Sequence, residues 1–96
     1  MVNEIRAQIT LKLTENGGRQ SPIAREFYPC RVLIGESFHD ARIYWEKIDL
    51  LSPGDEKEVT VKFLDPEIVL PKLQIGDTFS IWELQKVGQL KILEIS

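Results

Sequence analysis

Ile5-Arg6-Ala7-Gln8-Ile9-Thr10-Leu11-Lys12-Leu13 alternates apolar and polar side chains without a break. A period of two sends alternate side chains to opposite faces of a β-strand. The segment therefore reads as a half-buried strand with Ile5, Ala7, Ile9, Leu11 and Leu13 turned to a core. The run stops at Glu15-Asn16-Gly17-Gly18-Arg19-Gln20-Ser21-Pro22, where consecutive glycines allow positive φ and proline closes the loop.

The rest of the chain repeats the pattern. Cys30, Val32 and Ile34 share one phase behind Pro29, which sits at a strand start where its missing N–H costs least. Gly35 to Asp40 reads as a polar loop, with His39 exposed on it. Ala41, Ile43 and Trp45 then alternate with Arg42 and Tyr44. Ser52-Pro53-Gly54-Asp55 is a turn. Val59, Val61 and Phe63 alternate with Glu58, Thr60 and Lys62 up to Asp65-Pro66. Ile68, Val69, Leu70 and Leu73 surround Pro71, which disfavours a helix through that stretch. Phe79 and Ile81 alternate with Thr78, Ser80 and Trp82. A turn around Lys86-Val87-Gly88 leads to a last strand, Leu90 to Ile95.

About six strands with turn chemistry between them predict an all-β fold, a single closed antiparallel barrel occupying residues 1–96 as one domain. Closure removes the exposed edges of so small a sheet. The expected core is Ile9, Leu11, Val32, Val59, Val61, Phe63, Phe79, Ile81 and Ile92.

Composition narrows the function classes. The chain has 96 residues, 43% hydrophobic and 28% charged, ordinary values for a globular domain. No apolar run approaches the roughly 20 residues of a membrane helix. The start of the chain lacks the basic and apolar blocks of a signal peptide, so a cytoplasmic location is expected. The net charge is −3, against a general nucleic-acid coat. It is unevenly spread: residues 1–45 carry a net +1 and residues 46–96 a net −4, and all five arginines (Arg6, Arg19, Arg25, Arg31, Arg42) lie in the first half. Guanidinium forks suit phosphates and carboxylates.

No catalytic, cofactor-binding or metal-binding constellation emerges. The single His39 and single Cys30 rule out multi-His and Cys/His zinc sites within the chain. Ser37, His39 and Asp40 have the letters of a triad but stand almost side by side, whereas a triad converges from separated positions. Gly17-Gly18-Arg19 lacks the spacing of a phosphate-binding loop. Cys30 reads as a small buried hydrophobe; a reactive thiol would need a base or cation beside it.

Ala7-Gln8-Ile9-Thr10-Leu11-Lys12-Leu13, followed by Glu15 to Ile23 with its Gly17-Gly18-Arg19 and Ser21-Pro22, resembles the opening of the C-terminal β-barrel (domain 3) of elongation factor Tu. Phe27-Tyr28-Pro29-Cys30 resembles the entry to that family's second strand, and Leu51-Ser52-Pro53-Gly54-Asp55 its Pro-Gly-Asp turn. Val59 to Pro66, Leu73 to Glu83 and Val87-Gly88 follow in order, so the similarity covers residues 5 to 95. It implies a six-stranded Greek-key barrel. In the family this barrel packs on a GTPase domain and a second barrel, and touches the T-stem of aminoacyl-tRNA. The similarity of these 96 residues is to the barrel alone, so it implies no GTP chemistry. Cys30 stands where the family reaches tRNA with a glutamine, and Leu84, Gln85, Lys86 and Leu90 replace residues that include its close-approach glycines. The resemblance thus implies a kept scaffold and a largely lost tRNA surface. Gly17, Gly18 and Arg19 form a loop that lies near the GTPase-domain interface in the family, and equally a turn that the fold itself needs.

Two functions are expected from these readings. The first is a non-catalytic, stand-alone protein-binding module or homodimer, translation-associated or antagonising a toxin or regulator. Its anchors would be Trp82, Leu84, Trp45 and Tyr44, since aromatic residues dominate interface hot spots. Trp82 and Leu84 fall in the outward phase of their strand. The second is RNA binding, with Arg19, Arg25, Arg31 and Lys86 on phosphates and tRNA affinity weak. The acidic balance and the lost glycines favour the first.

Overall fold

The computed structural model describes residues 4–46 and 50–96. Six strands, β1 (Ile5–Leu11), β2 (Tyr28–Ile34), β3 (Ser37–Tyr44), β4 (Glu56–Phe63), β5 (Thr78–Trp82) and β6 (Lys86–Ile95), form a closed antiparallel barrel in the order β1-β4-β3-β2-β5-β6. β2, β3 and β4 follow one another, and β1 returns beside β4, which is the Greek-key arrangement. The alternation seen in the sequence is the burial pattern observed. Ile5, Ala7, Ile9 and Leu11 are buried while Arg6, Gln8 and Thr10 are half-buried. Val32, Val59, Val61, Phe63, Ile81 and Ile92 are buried as expected, and Phe79 is half-buried against the same core.

Several local expectations are corrected. β1 stops at Leu11 rather than running on to Leu13, because the carbonyl of Leu13 accepts the N–H groups of Asn16 and Gly18 in a turn. Leu13 is exposed. The loop expected over Gly35–Asp40 is a tight turn at Gly35-Glu36, and β3 already begins at Ser37. The alternation was masked there because its inward residue is polar: His39 is buried opposite Val32 instead of exposed. Its Nδ1 lies 3.4 Å from Asp65 Oδ2, and its Nε2 is buried without a hydrogen-bond partner.

A short α-helix, α1 (Pro66–Val69), and a 3₁₀ turn (Leu70–Lys72) cross the stretch where Pro71 argued against a helix. Both prolines sit in first-turn positions, where a missing N–H costs nothing. The turn expected at Lys86-Val87-Gly88 lies three residues earlier, over residues 83–85, and β6 starts at Lys86. β6 absorbs the difference by a bulge at Val87, the extra residue between the pairs Ile81–Gly88 and Trp82–Lys86. Trp45, expected as an exposed anchor, is buried in the core, since it continues the inward phase of Ala41 and Ile43 just past the end of β3.

Phe63 fills the core from the last position of β4. Replacing it with alanine removes a buried aromatic ring, and urea denaturation should show a loss of about 3–5 kcal/mol. A near-neutral result would contradict the inward phase of β4.

Candidate functional site

The register of β5, β2, β3 and β4 sets out the barrel's outer face in rows. Trp82 on β5 stands beside Arg31 on β2, which stands beside Asp40 on β3. One row along, Pro29 on β2 stands beside Arg42 on β3, and Arg42 beside Lys62 on β4. Period two turns all of these outward, because their neighbours Cys30, Val32, Ala41, Ile43, Val61 and Ile81 point in.

Rings hold the cations of this face in place. The Arg42 guanidinium lies 4.8 Å from the Phe27 ring centroid, and the Arg25 guanidinium 5.9 Å from the same ring. Arg31 lies 5.0 Å from the Phe38 ring, and the Lys62 ammonium 5.2 Å from the Tyr44 ring. Phe38 meets Trp82 edge-on at 5.7 Å, and Phe27 meets Tyr44 at 5.6 Å. Cation–π contacts of this kind contribute roughly 0.5–1 kcal/mol each at exposed sites. Among the described residues, no carboxylate forms an ion pair with Arg25, Arg31 or Arg42.

Glu83, just past β5, ties the far side of the face to the barrel. Its Oε2 accepts hydrogen bonds from Arg19 and from the Tyr28 hydroxyl, and its backbone carbonyl accepts one from Arg31 at 2.7 Å. Burial, followed by the Glu83 carboxylate, holds the Tyr28 hydroxyl protonated well above its ordinary range. The Gln85 amide donates to the Gly17 carbonyl at 2.5 Å, which fastens the 14–20 loop to the same corner.

An open groove of about 580 Å³ runs over these rows, lined by Arg25, Arg31, Arg42, Trp82, Leu84 and Leu64 among others. Leu84 is fully exposed and Leu64 is 58% exposed. Trp82 is half-buried, its indole N–H donating to Ser80 Oγ at 2.8 Å.

The sequence-derived site residues separate cleanly on this map. Trp82, Leu84, Arg25 and Arg31 come together at the groove. Lys86, paired in register with Trp82, flanks it. Tyr44 lies on the neighbouring rows beneath Phe27 and Lys62. Trp45 is withdrawn into the core. Arg19 is taken up by Glu83 and stacks on the Tyr28 ring, so its fork is turned inward on the protein. Gly17 adopts φ 90°, and a Cβ on Gly18 would stand 2.1 Å from the Lys12 carbonyl oxygen. Those two glycines are required by the turn itself. Phe27, Phe38, Leu64 and Glu83 were not singled out from the sequence. Phe38 falls in the polar stretch that reads as a loop in the sequence and is in fact part of β3, and the others gain meaning only through cross-strand register.

Comparison with known protein families and with curated protein sequences gives no match for this chain. No helix among the described residues is long and apolar enough to cross a membrane.

Cys30 lines the groove from beneath, with its side chain in the core. Burial, then the nearby carboxylates of Glu83 and Asp40, push its thiol from 9.0 up to about 12. Native protein at pH 8.5 should therefore react with iodoacetamide at least ~100-fold more slowly than the urea-denatured chain. Between pH 9.0 and about 12 only the unfolded chain loses this proton. The thiol's contribution to stability is thus intact below that window and is lost as pH rises through it. Fast native alkylation would contradict the buried placement.

Proposed function

We propose that this chain is a non-catalytic protein-binding barrel that makes its contact through the outer face of β2, β3 and the end of β5. The observation that carries this reading is the pair Trp82 and Leu84 at the groove. A half-buried indole packed on Phe38 sits beside a leucine left wholly in water, with the exposed Leu64 across the face. An apolar patch rimmed by charged side chains is the composition of a protein contact.

The groove's other residues favour binding over chemistry. Cys30 is protonated and turned inward, and His39 faces Asp65 rather than the groove. In this proposal the chain is similar to the elongation factor Tu C-terminal barrel, with an apolar strand end where that family presents glycines to tRNA. A translation-associated partner, or a toxin or regulator held in check, fits that reading.

Leu84→Asp separates the contact from the fold, because a fully exposed side chain contributes little to stability. The variant should melt within a few degrees of wild type, since surface substitutions rarely exceed ~0.5 kcal/mol. Tagged wild-type protein recovered from its own cells, or cross-linked to itself, should carry a protein that the variant loses. Identical recovery from both would refute the proposed face. Recovery of RNA instead, released steeply by salt, would favour the nucleic-acid reading.

A further inference from the structure

Positive charge is concentrated on this face in a way that folding does not require. Arg42 and Lys62 are direct register partners across β3 and β4, both turned outward. Like charges placed opposite each other destabilise a sheet. Arg25 and Arg42 converge on the single ring of Phe27. Of the two acids beside the groove, Glu83 has its carboxylate occupied by Arg19 and Tyr28, and Asp40 faces Arg31 in register without forming an ion pair. This happens in a chain whose net charge is −3. A bound anion would relieve the local repulsion.

The rings also prepare the guanidiniums to act. An arginine stacked on an aromatic face keeps its in-plane N–H donors pointing outward, and its side chain has already lost part of its rotamer freedom. The exposed apolar ends of the face are leucines, Leu64 beyond β4 and Leu84 beyond β5, which offer no π-surface to a base, and the Trp82 indole between them is half-buried with Phe38 packed edge-on against it. Guanidiniums already lie on Phe27 and Phe38, while single-stranded nucleic acids need bare rings on which to stack.

We infer that the groove takes an acidic polypeptide segment that also carries apolar side chains. Its carboxylates pair with Arg25, Arg31 and Arg42, and its apolar residues settle against Trp82, Leu84 and Leu64. This inference rests on the protein-binding reading above and names the chemistry of the partner.

Fluorescence anisotropy with defined probes tests it. The probes are a short labelled peptide alternating glutamate with leucine, the same peptide with glutamine for glutamate, and an oligouridine of similar length. The glutamate peptide should bind the intact chain, and the glutamine peptide should bind at least ~10-fold more weakly. The double variant Arg31→Gln with Arg42→Gln should weaken the glutamate peptide roughly 30-fold, the loss of a hot-spot contact. Arg42→Lys keeps the charge but not the fork, and should fall in between. All variants are checked by thermal melting.

Equal binding of the glutamate and glutamine peptides, with Leu84→Asp still abolishing both, would overturn the acidic partner and leave the binding face standing. Glutamate-peptide affinity unchanged in both the arginine variants and Leu84→Asp would overturn the face as well. No binding of the glutamate peptide, or tighter binding of oligouridine, would overturn the inference.

Discussion

Strand β1 pairs with β4 on one side and with β6 on the other, and that double pairing closes the sheet. Once the sheet is closed, a slip of one residue in any strand would turn its core side chains to water, so each strand's phase is fixed by the others. Closure also dictates where only glycine fits. Gly88 is the register partner of Leu11, and a Cβ there would lie 2.5 Å from the Thr10 carbonyl oxygen. The shortest seam lies on the other side of the barrel. β2 and β5 share three paired positions, because β5 stops at Trp82 while β2 extends back to Tyr28. The groove runs over this seam, and Glu83 pins its margin through Arg19, Tyr28 and Arg31.

The two outer faces of the barrel treat charge differently. On the β1–β4 face, Arg6 pairs with Glu58 at 2.8 Å and also donates to Thr60, and Thr10 reaches toward Glu56. Charges there are complementary across the strands, as an ordinary solvated sheet face arranges them. On the β2–β3 face the cross-strand neighbours of Arg42 are Pro29 and Lys62. The second half of the chain supplies ten acidic residues, so the shortage of carboxylates here is a matter of placement and not of composition.

Most of the barrel was legible in the sequence because its inward residues are apolar. Where an inward residue is polar, as with His39, the sequence of the strand looks like a loop. Where a bulge shifts the register, as at Val87, the alternation no longer marks the start of the strand. The helical stretch from Pro66 to Lys72 is not legible because Pro71, which sits in the first turn of the 3₁₀ segment, looks in sequence like a proline that breaks a helix. The candidate site was half legible. Alternation alone turned Trp82 outward and left Leu84 beyond it. Arg25 and Arg31 stand out in the sequence as candidate contacts, but their grouping with Arg42 does not, since the three are brought together by hairpin register and by the rings of Phe27 and Phe38.

The same residue type is used in two ways, and the choice of partner separates them. Arg6 and Arg19 sit on carboxylates, which occupy their forks and tie distant strands or loops together. Arg25 and Arg42 lie over the ring of a phenylalanine, an attraction that takes up no carboxylate and leaves both guanidiniums without an ion pair among the described residues. Arg31 donates one N–H to the Glu83 carbonyl, lies over the Phe38 ring, and has no carboxylate partner among the described residues. A carboxylate partner satisfies an arginine within the fold, whereas an aromatic partner only orients it. The arginines oriented in this way are the ones that line the groove beside Leu84, so the surface that is electrostatically unfinished is also the one that is apolar and exposed.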